Sequence, residues 1–270
     1  MMRDFTIDSF TLLLDTLLAQ GYAFQTVAEY MQSPAEKVVV LRHDIDARKK
    51  QALLFATLEQ QRSVKGTFYF RVVPESWDEK IITAVHNMGH EVGYHYEDID
   101  IVRKQDHIKD HQKEWSTLSD RAWKHFQQQL SRLRELSPVT TVCMHGSPLS
   151  PVSNRKLLEE HDYKALGITC EPYLDLDFSQ LYYLTDTGRR WDGQRVSIRD
   201  KVDQQQQKAF QQLMPRTTKD IITLIENRTM PEKVMITLHP QRWSDKWLQW
   251  MKELVWQRVK NVVKRVLLWK

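Results

Sequence analysis

Apolar and polar positions along the chain fall into blocks that switch between two periods. Phe10, Leu13, Leu14, Leu17 and Leu18 recur at helical spacing within Phe5–Gln20, and Gly21 closes that segment. A short helical turn at Val27–Met31 leads through Ser33-Pro34 into Val38-Val39-Val40-Leu41, which reads as a buried strand. The expected order then runs helix Lys49–Gln61, strand Gly66–Phe70, helix Ser76–Met88 and strand His90–Glu97. A long charged helical region at Asp106–Leu136 precedes strand Val139–Met144, helix Asn154–His161 and strands at Tyr163–Thr169 and Leu181–Leu184. Lys219–Asn227 is helical, Val234–Leu238 is the last strand, and a final helix spans Trp247–Trp269. This alternation predicts an α/β chain of about seven mainly parallel strands with outer helices, open or closed into a barrel. No repeat or linker interrupts it, so one domain over residues 1–270 is expected.

Polar residues gather where the apolar runs stop. Val38–Leu41 gives way to Arg42-His43-Asp44-Ile45-Asp46, and three later strands end at His95, His145 and His239. In parallel α/β sheets the carboxyl ends of the strands line the ligand crevice. Asp44 and Asp46 lie two apart, so in extended chain both side chains point the same way. One such end alone reads equally well as a solvated strand end whose Asp caps the next helix. Four in one chain favour a site, and mixed Asp and His donors suit zinc or another divalent first-row metal, or a general base.

Composition narrows the class without naming a reaction. With 270 residues, 41% hydrophobic and 27% charged, the chain fits an ordinary globular protein with one sizeable core. A net charge of +4 is too small to argue for nucleic acid. Cys143 and Cys170 show neither metal spacing nor a neighbouring His or Asn that would mark a thiol nucleophile. There is no Gly-rich phosphate loop, and Gly146-Ser147 lacks the second glycine of a nucleophile elbow. Met1-Met2-Arg3-Asp4 opens no signal peptide and no apolar run reaches membrane-spanning length, so the cytoplasm is the expected location.

Leu41-Arg42-His43-Asp44-Ile45-Asp46, Gly66-Thr67-Phe68-Tyr69-Phe70, Gly89-His90-Glu91-Val92-Gly93-Tyr94-His95 and Leu238-His239 resemble, in order and spacing, the motifs of the polysaccharide deacetylase (NodB-like carbohydrate esterase) superfamily. Within it the chain looks like a bacterial branch associated with surface-polysaccharide clusters, in which motifs like Asp186-Thr187-Gly188-Arg189-Arg190-Trp191 and His239-Pro240-Gln241-Arg242-Trp243 recur. The resemblance covers nearly the whole chain. It implies a distorted (β/α) barrel and a divalent metal held by one Asp and two His. It also implies a second Asp as general base and a late His as general acid, in hydrolysis of an N-acyl group, acetyl above all, on a sugar of a bacterial surface glycan.

Carried over residue by residue, His95 matches the first metal histidine and His239 the late histidine. The family's second histidine lies four residues after the first, where this chain has Ile99; His145, ending the next strand, is the substitute. Asp44-Ile45-Asp46 replaces an adjacent Asp-Asp pair, which leaves open which carboxylate ligates. Asp46 as ligand and Asp44 as base is the preferred assignment. The family's Arg-Pro-Pro-Tyr segment is absent, and Asp186 to Trp191 is expected over the same face in part of its role. Arg42 or Arg189 would hold Asp44 or bind an anionic substrate group. Arg190 would join them in substrate binding, with Tyr94, Trp191 and Trp243 as stacking platforms unless they pack in the core. Zinc is the expected ion, and the substrate is a sugar or glycan that is nucleotide-linked, lipid-linked or polymeric. Ile99 motivates one alternative, a metal-independent amidohydrolase; a non-catalytic carbohydrate-binding or scaffold protein is another.

The last helix carries Trp247, Leu248, Met251, Leu254, Val255, Val259, Val262, Val263 and Val266 at helical spacing, among Lys252, Arg258, Lys260, Lys264, Arg265 and Lys270. Such a basic amphipathic helix either closes the barrel or makes weak peripheral contact with an anionic membrane.

Overall fold

The structure, a computed structural model, describes residues 3–147, 150–191, 202–203 and 205–268, with side chains as far as Val263 in the last helix. Lys264, Arg265, Val266 and Lys270 of the expected basic helix therefore lie outside the described side chains. The apolar run at Val38 forms the centre of the sheet, and its strand continues through the polar residues to Ile45. Seven strands are present among the described residues: β1 (Ala23–Gln25), β2 (Val38–Ile45), β3 (Thr67–Phe70), β4 (Glu91–Tyr96), β5 (Val142–Met144), β6 (Tyr182–Thr185) and β7 (Lys233–Leu238). All pair in parallel, in the order β5-β4-β3-β2-β7-β6, with β1 against the first half of β2. The sheet curls into a half-barrel, and β5 and β6 at its two ends do not pair with each other.

Helices surround the sheet: α1 (Ile7–Ala19), α2 (Val27–Gln32), α3 (Lys49–Gln60), α4 (Glu79–Asn87), α5 (Asp98–Gln105), α6 (Trp115–Arg134), α7 (Lys156–Glu160), α8 (Pro172–Asp175), α9 (Thr218–Glu226) and α10 (Trp247–Leu268). Their starts follow capping chemistry. Thr6, Thr26 and Thr217 each accept from the backbone three residues on and close a capping box. The long helical region expected at Asp106–Leu136 begins only at Trp115, after a left-handed His107, while α5 occupies the preceding turn. The strand expected at Tyr163–Thr169 is instead a 3-10 turn at Lys164–Leu166, with a single bridge between Thr141 and Cys170. Asp162 accepts from Ala165 N, and Gly167 takes up a left-handed φ of 72°, so local turn chemistry overrides the apolar pattern. The three-residue β1 carries too few positions for alternation to mark it.

Alternation along β2 sorts its residues between two cores. Val39, Leu41 and Ile45 join Phe10, Phe55, Phe68 and Phe70 between sheet and helices. Val38 and Val40 face the concave side with Tyr69, Cys143, Tyr183 and Met235. Arg42 and Asp44 share that second parity, which aims both into the concave side. His43 points the other way and meets Glu59 of α3 at 2.6 Å, fully buried.

Gly93 of β4 lies opposite Tyr69 of β3. A Cβ at Gly93 would stand 2.3 Å from the Tyr69 ring and 3.0 Å from the Thr141 carbonyl oxygen. The ring is fixed from both ends, by the Thr141 hydroxyl at 3.0 Å and by the Arg42 guanidinium over its face. Gly93→Ala is therefore expected to destabilise the fold by about 1–3 kcal/mol, as overpacking does. Urea unfolding reads the effect, and an unchanged midpoint would show that Tyr69 has room to move.

Candidate active site

Four strand ends meet at the carboxyl edge of the sheet. His95 lies in β4, His145 follows β5, His239 follows β7, and Asp44 and Asp46 lie at the end of β2. Parallel pairing brings β4 and β5 together with His95 opposite Cys143, so the next polar residue after β5 arrives beside His95. Asp46 Oδ1 lies 3.5 Å from His95 Nε2 and 3.6 Å from His145 Nε2. One ligand atom from each of Asp46, His95 and His145 falls within 4.8 Å of the other two.

Both imidazoles are oriented from behind. His95 Nδ1 lies 3.0 Å from the Cys143 carbonyl, which only accepts, so Nδ1 carries a proton and Nε2 is turned towards Asp46. His145 Nδ1 donates to Glu97 Oε2 at 3.0 Å. Arg71 binds the other Glu97 oxygen and donates to the Asp46 backbone oxygen at 2.9 Å, tying this pair to the end of β2. Burial raises the Glu97 pKa, but the His145 and Arg71 contacts outweigh it and bring it to about 2. Asp46 is treated alike: burial raises its pKa, while His95, His145 and His239 drive it well below the usual carboxylate range.

Two further pairs flank this group. Arg42 grips Asp44 through two hydrogen bonds, Nε to Oδ1 at 2.8 Å and Nη2 to Oδ2 at 2.7 Å. The guanidinium sits between the Tyr69 and Tyr173 rings, with no exposure to solvent. Opposite, His239 Nδ1 donates to Asp186 Oδ1 at 2.6 Å. Asp186 also accepts from His239 N, from Arg242 Nη1 and from Trp243 Nε1. Burial and Arg242 lower the His239 pKa, and the Asp186 carboxylate more than offsets them, leaving it above its ordinary value. Asp186 itself is raised by burial but pulled lower overall by His239 and Arg242. His239 Nε2 stands 4.0 Å from Asp44 Oδ2 and 3.8 Å from Asp46 Oδ2, facing the same space.

The donor set fits a divalent ion. Two nitrogens or oxygens bound to a tetrahedral zinc stand about 3.4 Å apart, close to the Asp46–His95 and Asp46–His145 separations. Asp46 Oδ1 is buried without a hydrogen bond of standard geometry, as expected of an oxygen meant for a cation. Carboxylate and carbonyl partners behind the two histidines match the usual outer shell of metal-bound imidazoles. Ile99, in the family's position for the second histidine, is buried in the apolar layer with Tyr94 and Phe126.

Several residues expected to bind substrate make contacts within the protein. Tyr94 has the opposite parity to His95; its hydroxyl donates to Asp98 and its ring packs on Phe126. Trp243 is wholly buried against Phe5, and Trp191 is buried with its Nε1 donating to Thr218. Neither ring has a free face for a sugar. Arg189 stacks between Phe5 and Trp250 and donates to the Trp250 carbonyl. Arg42 and Asp186 are buried, one hydrogen-bonded to Asp44 and the other to His239. Arg190 is half-buried at the end of the same loop.

Glu97, Arg71 and Gln241, whose Nε2 donates to Asp46 Oδ2 at 3.1 Å, escaped the sequence reading. Each lies next to a strand end or inside a quoted motif, so applying the strand-end rule to every polar residue there would have found them.

No protein-family model and no curated protein matches the chain. Solved structures similar to it include a family 4 carbohydrate esterase from Bacillus anthracis, at 13% identity over 93% of this chain and 86% of that one, with a TM-score of 0.39. A CE4 esterase from Streptococcus mutans shows 15% identity over 92% and 90%, with a TM-score of 0.39. The Xyl-CE4 domain of a multidomain xylanase from the hindgut metagenome of Trinervitermes trinervoides shows 14% identity over 84% of each chain, with a TM-score of 0.38. At such identities the chemistry rests on the chain's own residues.

Proposed function

We propose that the chain is a metal-dependent hydrolase that removes an N-acyl group, acetyl above all, from an amino sugar during bacterial surface-glycan assembly. One observation carries the reading: a three-donor Asp/His/His cluster stands between an Arg-held carboxylate and an Asp-held imidazole. Asp46, His95 and His145 would hold the ion, zinc by donor type. When bound it would polarise the acyl oxygen and lower the pKa of water from ~15.7 towards ~7.

The chain's own groups divide the proton transfers. Asp44, fixed in orientation by Arg42, takes a proton from the attacking water as its oxygen bonds to the acyl carbon. His239, held protonated by Asp186, gives a proton to the sugar nitrogen as the C–N bond breaks. The products are a carboxylate and a free amino sugar. Asp186→Asn is expected to lower turnover by about 10²–10⁴-fold, since it removes the group that orients and charges the acid. Losing the Asp186 charge lowers the His239 pKa, so the alkaline limb of the kcat/KM profile moves to lower pH. A limb that stays in place would take His239 out of the acid role.

The reaction is tested by metal analysis of the purified chain together with carboxylate and amine release from a panel of N-acetylated oligosaccharides. Equimolar zinc and stoichiometric release of both products are expected. Turnover of metal-stripped protein equal to that of loaded protein would favour a metal-independent amidohydrolase. No release from any member would favour a binding role.

A further inference from the structure

A helix packed on a protein normally buries its apolar stripe and exposes its charges. Helix α10 leaves most of its apolar residues exposed along with its cations, and of the described residues of that stripe only Met251 and Leu254 are half-buried. Towards the body of the protein it turns Trp250, Glu253, Gln257 and Asn261. Gln257 Nε2 donates to Glu253 Oε1 at 2.7 Å, and Asn261 Nδ2 donates to the Gly188 carbonyl at 3.0 Å. Outward it turns Leu248, Val255, Trp256, Val259, Val262 and Val263, which are 49% to 73% exposed. These exposed residues do not close the sheet, and the packing role expected of the stripe is left to Met251 and Leu254 beside the polar face.

The charges on the outward side are of one sign. Lys252 and Arg258 are exposed among the apolar side chains, while Lys260 flanks the inward face, with its ammonium 4.9 Å from the Trp256 ring and within reach of Glu253 and Arg242. Glu253, the one acid between Trp247 and Val263 in the sequence, is buried. A second copy of this face would set cations against cations. A bare polyanion would pair the cations and leave the valines wet. An anionic bilayer meets both needs, because headgroup phosphates take the cations and the acyl boundary takes the apolar side chains. Tryptophan favours that same interface. No helix of the described residues is long and apolar enough to cross a membrane, so α10 has the make-up of a helix that lies on one.

We infer that the outward face of α10 docks on an anionic membrane surface, with the helix lying in the headgroup plane and the body of the protein on its watery side. The placement matters because α10 supports the rim of the active site. Asn261 holds Gly188 of the loop that carries Asp186, and Trp250 accepts from Arg189 at 2.8 Å. Arg48, which approaches Glu253, donates to the carbonyl of Gln241, the residue that binds Asp46. Docking would thus open the site beside the headgroups, where a lipid-linked glycan is presented. That consequence rests on the proposed function; the docking itself does not.

Co-sedimentation of the full chain with vesicles tests it, using phosphatidylcholine alone and phosphatidylcholine mixed with phosphatidylglycerol, each at low and high salt. Binding to the anionic vesicles at low salt is expected, weakened by high salt and much weaker on phosphatidylcholine. Lys252→Gln should lower partitioning roughly five-fold. The triple variant Val255→Ser, Val259→Ser, Val262→Ser should lower it by at least about ten-fold, with unchanged circular dichroism because all three are exposed. Absence of binding to anionic vesicles at low salt, or equal binding by the triple variant, overturns the inference. So does a concentration-dependent dimer that ignores vesicles and is abolished by the triple variant, which would assign the face to a second copy. Hydrolysis enters none of these readouts, so failure here leaves the proposed reaction untouched.

Discussion

Asp44→Asn is expected to reduce turnover by about 10²–10⁴-fold, the usual contribution of a positioned general base. The fall should appear in kcat and kcat/KM alike, because the proton transfer belongs to the transition state. Metal content should stay the same, since Asp44 is not in the donor cluster. The structure adds a complication. Arg42 is wholly buried and spends two of its hydrogen bonds on Asp44, so a neutral partner leaves a charge inside the sheet. Breaking one side of a buried pair typically costs about 3–5 kcal/mol. The variant must therefore be shown folded before its kinetics are read. Asp44→Glu gives the second arm. It keeps the charge opposite Arg42 but moves the carboxylate by about one methylene, and misplacement on that scale costs on the order of 10²-fold. Normal turnover in a folded Asp44→Asn protein would remove Asp44 from the base role.

How much of this was legible beforehand depended on the kind of information each feature needs. β2, β3, β4 and β7 announce themselves because runs of β-branched and aromatic residues carry enough positions to outweigh noise. Their polar ends mark the crevice, since a buried parallel strand has little other reason to finish in Asp or His. That rule also led to His145, which the family's local His-to-His spacing does not reach; β4 passes directly into α5, turning Ile99 into the apolar layer. Side-chain direction was a different matter. Trp243 and Trp191 look like sugar platforms in a polar loop, yet whether they face inward is decided by the turn at Pro240–Arg242 and by Phe5 at the far end of the chain. The Arg71–Glu97 pair joins the residues just past the ends of neighbouring strands, so it exists only once β3 and β4 pair. The rotation of α10 was hidden for the same reason. Periodicity shows that a helix has an apolar side, not which side the protein uses.

His145→Ala should strip the site of its ion. A carboxylate and one imidazole would remain, two donors where zinc sites in proteins keep three or four. Titration of the apo protein with zinc should show affinity falling by well over the 10–100-fold that outer-shell losses produce, with activity falling in step. Stability should fall moderately, because the buried Glu97 carboxylate loses one of its two partners and keeps Arg71, while His145 itself is partly exposed past the end of β5. Adding Ile99→His to that variant distinguishes this fold from the family's local pattern. Ile99 is fully buried against the helix layer, on the far side of β4 from the concave face. A histidine there would sit among aromatic rings with no route to Asp46. The double variant is therefore expected to regain no zinc binding and to be less stable than His145→Ala alone, by about 1–3 kcal/mol for a polar group placed in an apolar core. Recovery of zinc binding in the double variant would mean that α5 can turn Ile99 towards the cluster. The local histidine spacing, and not the end of β5, would then define the site.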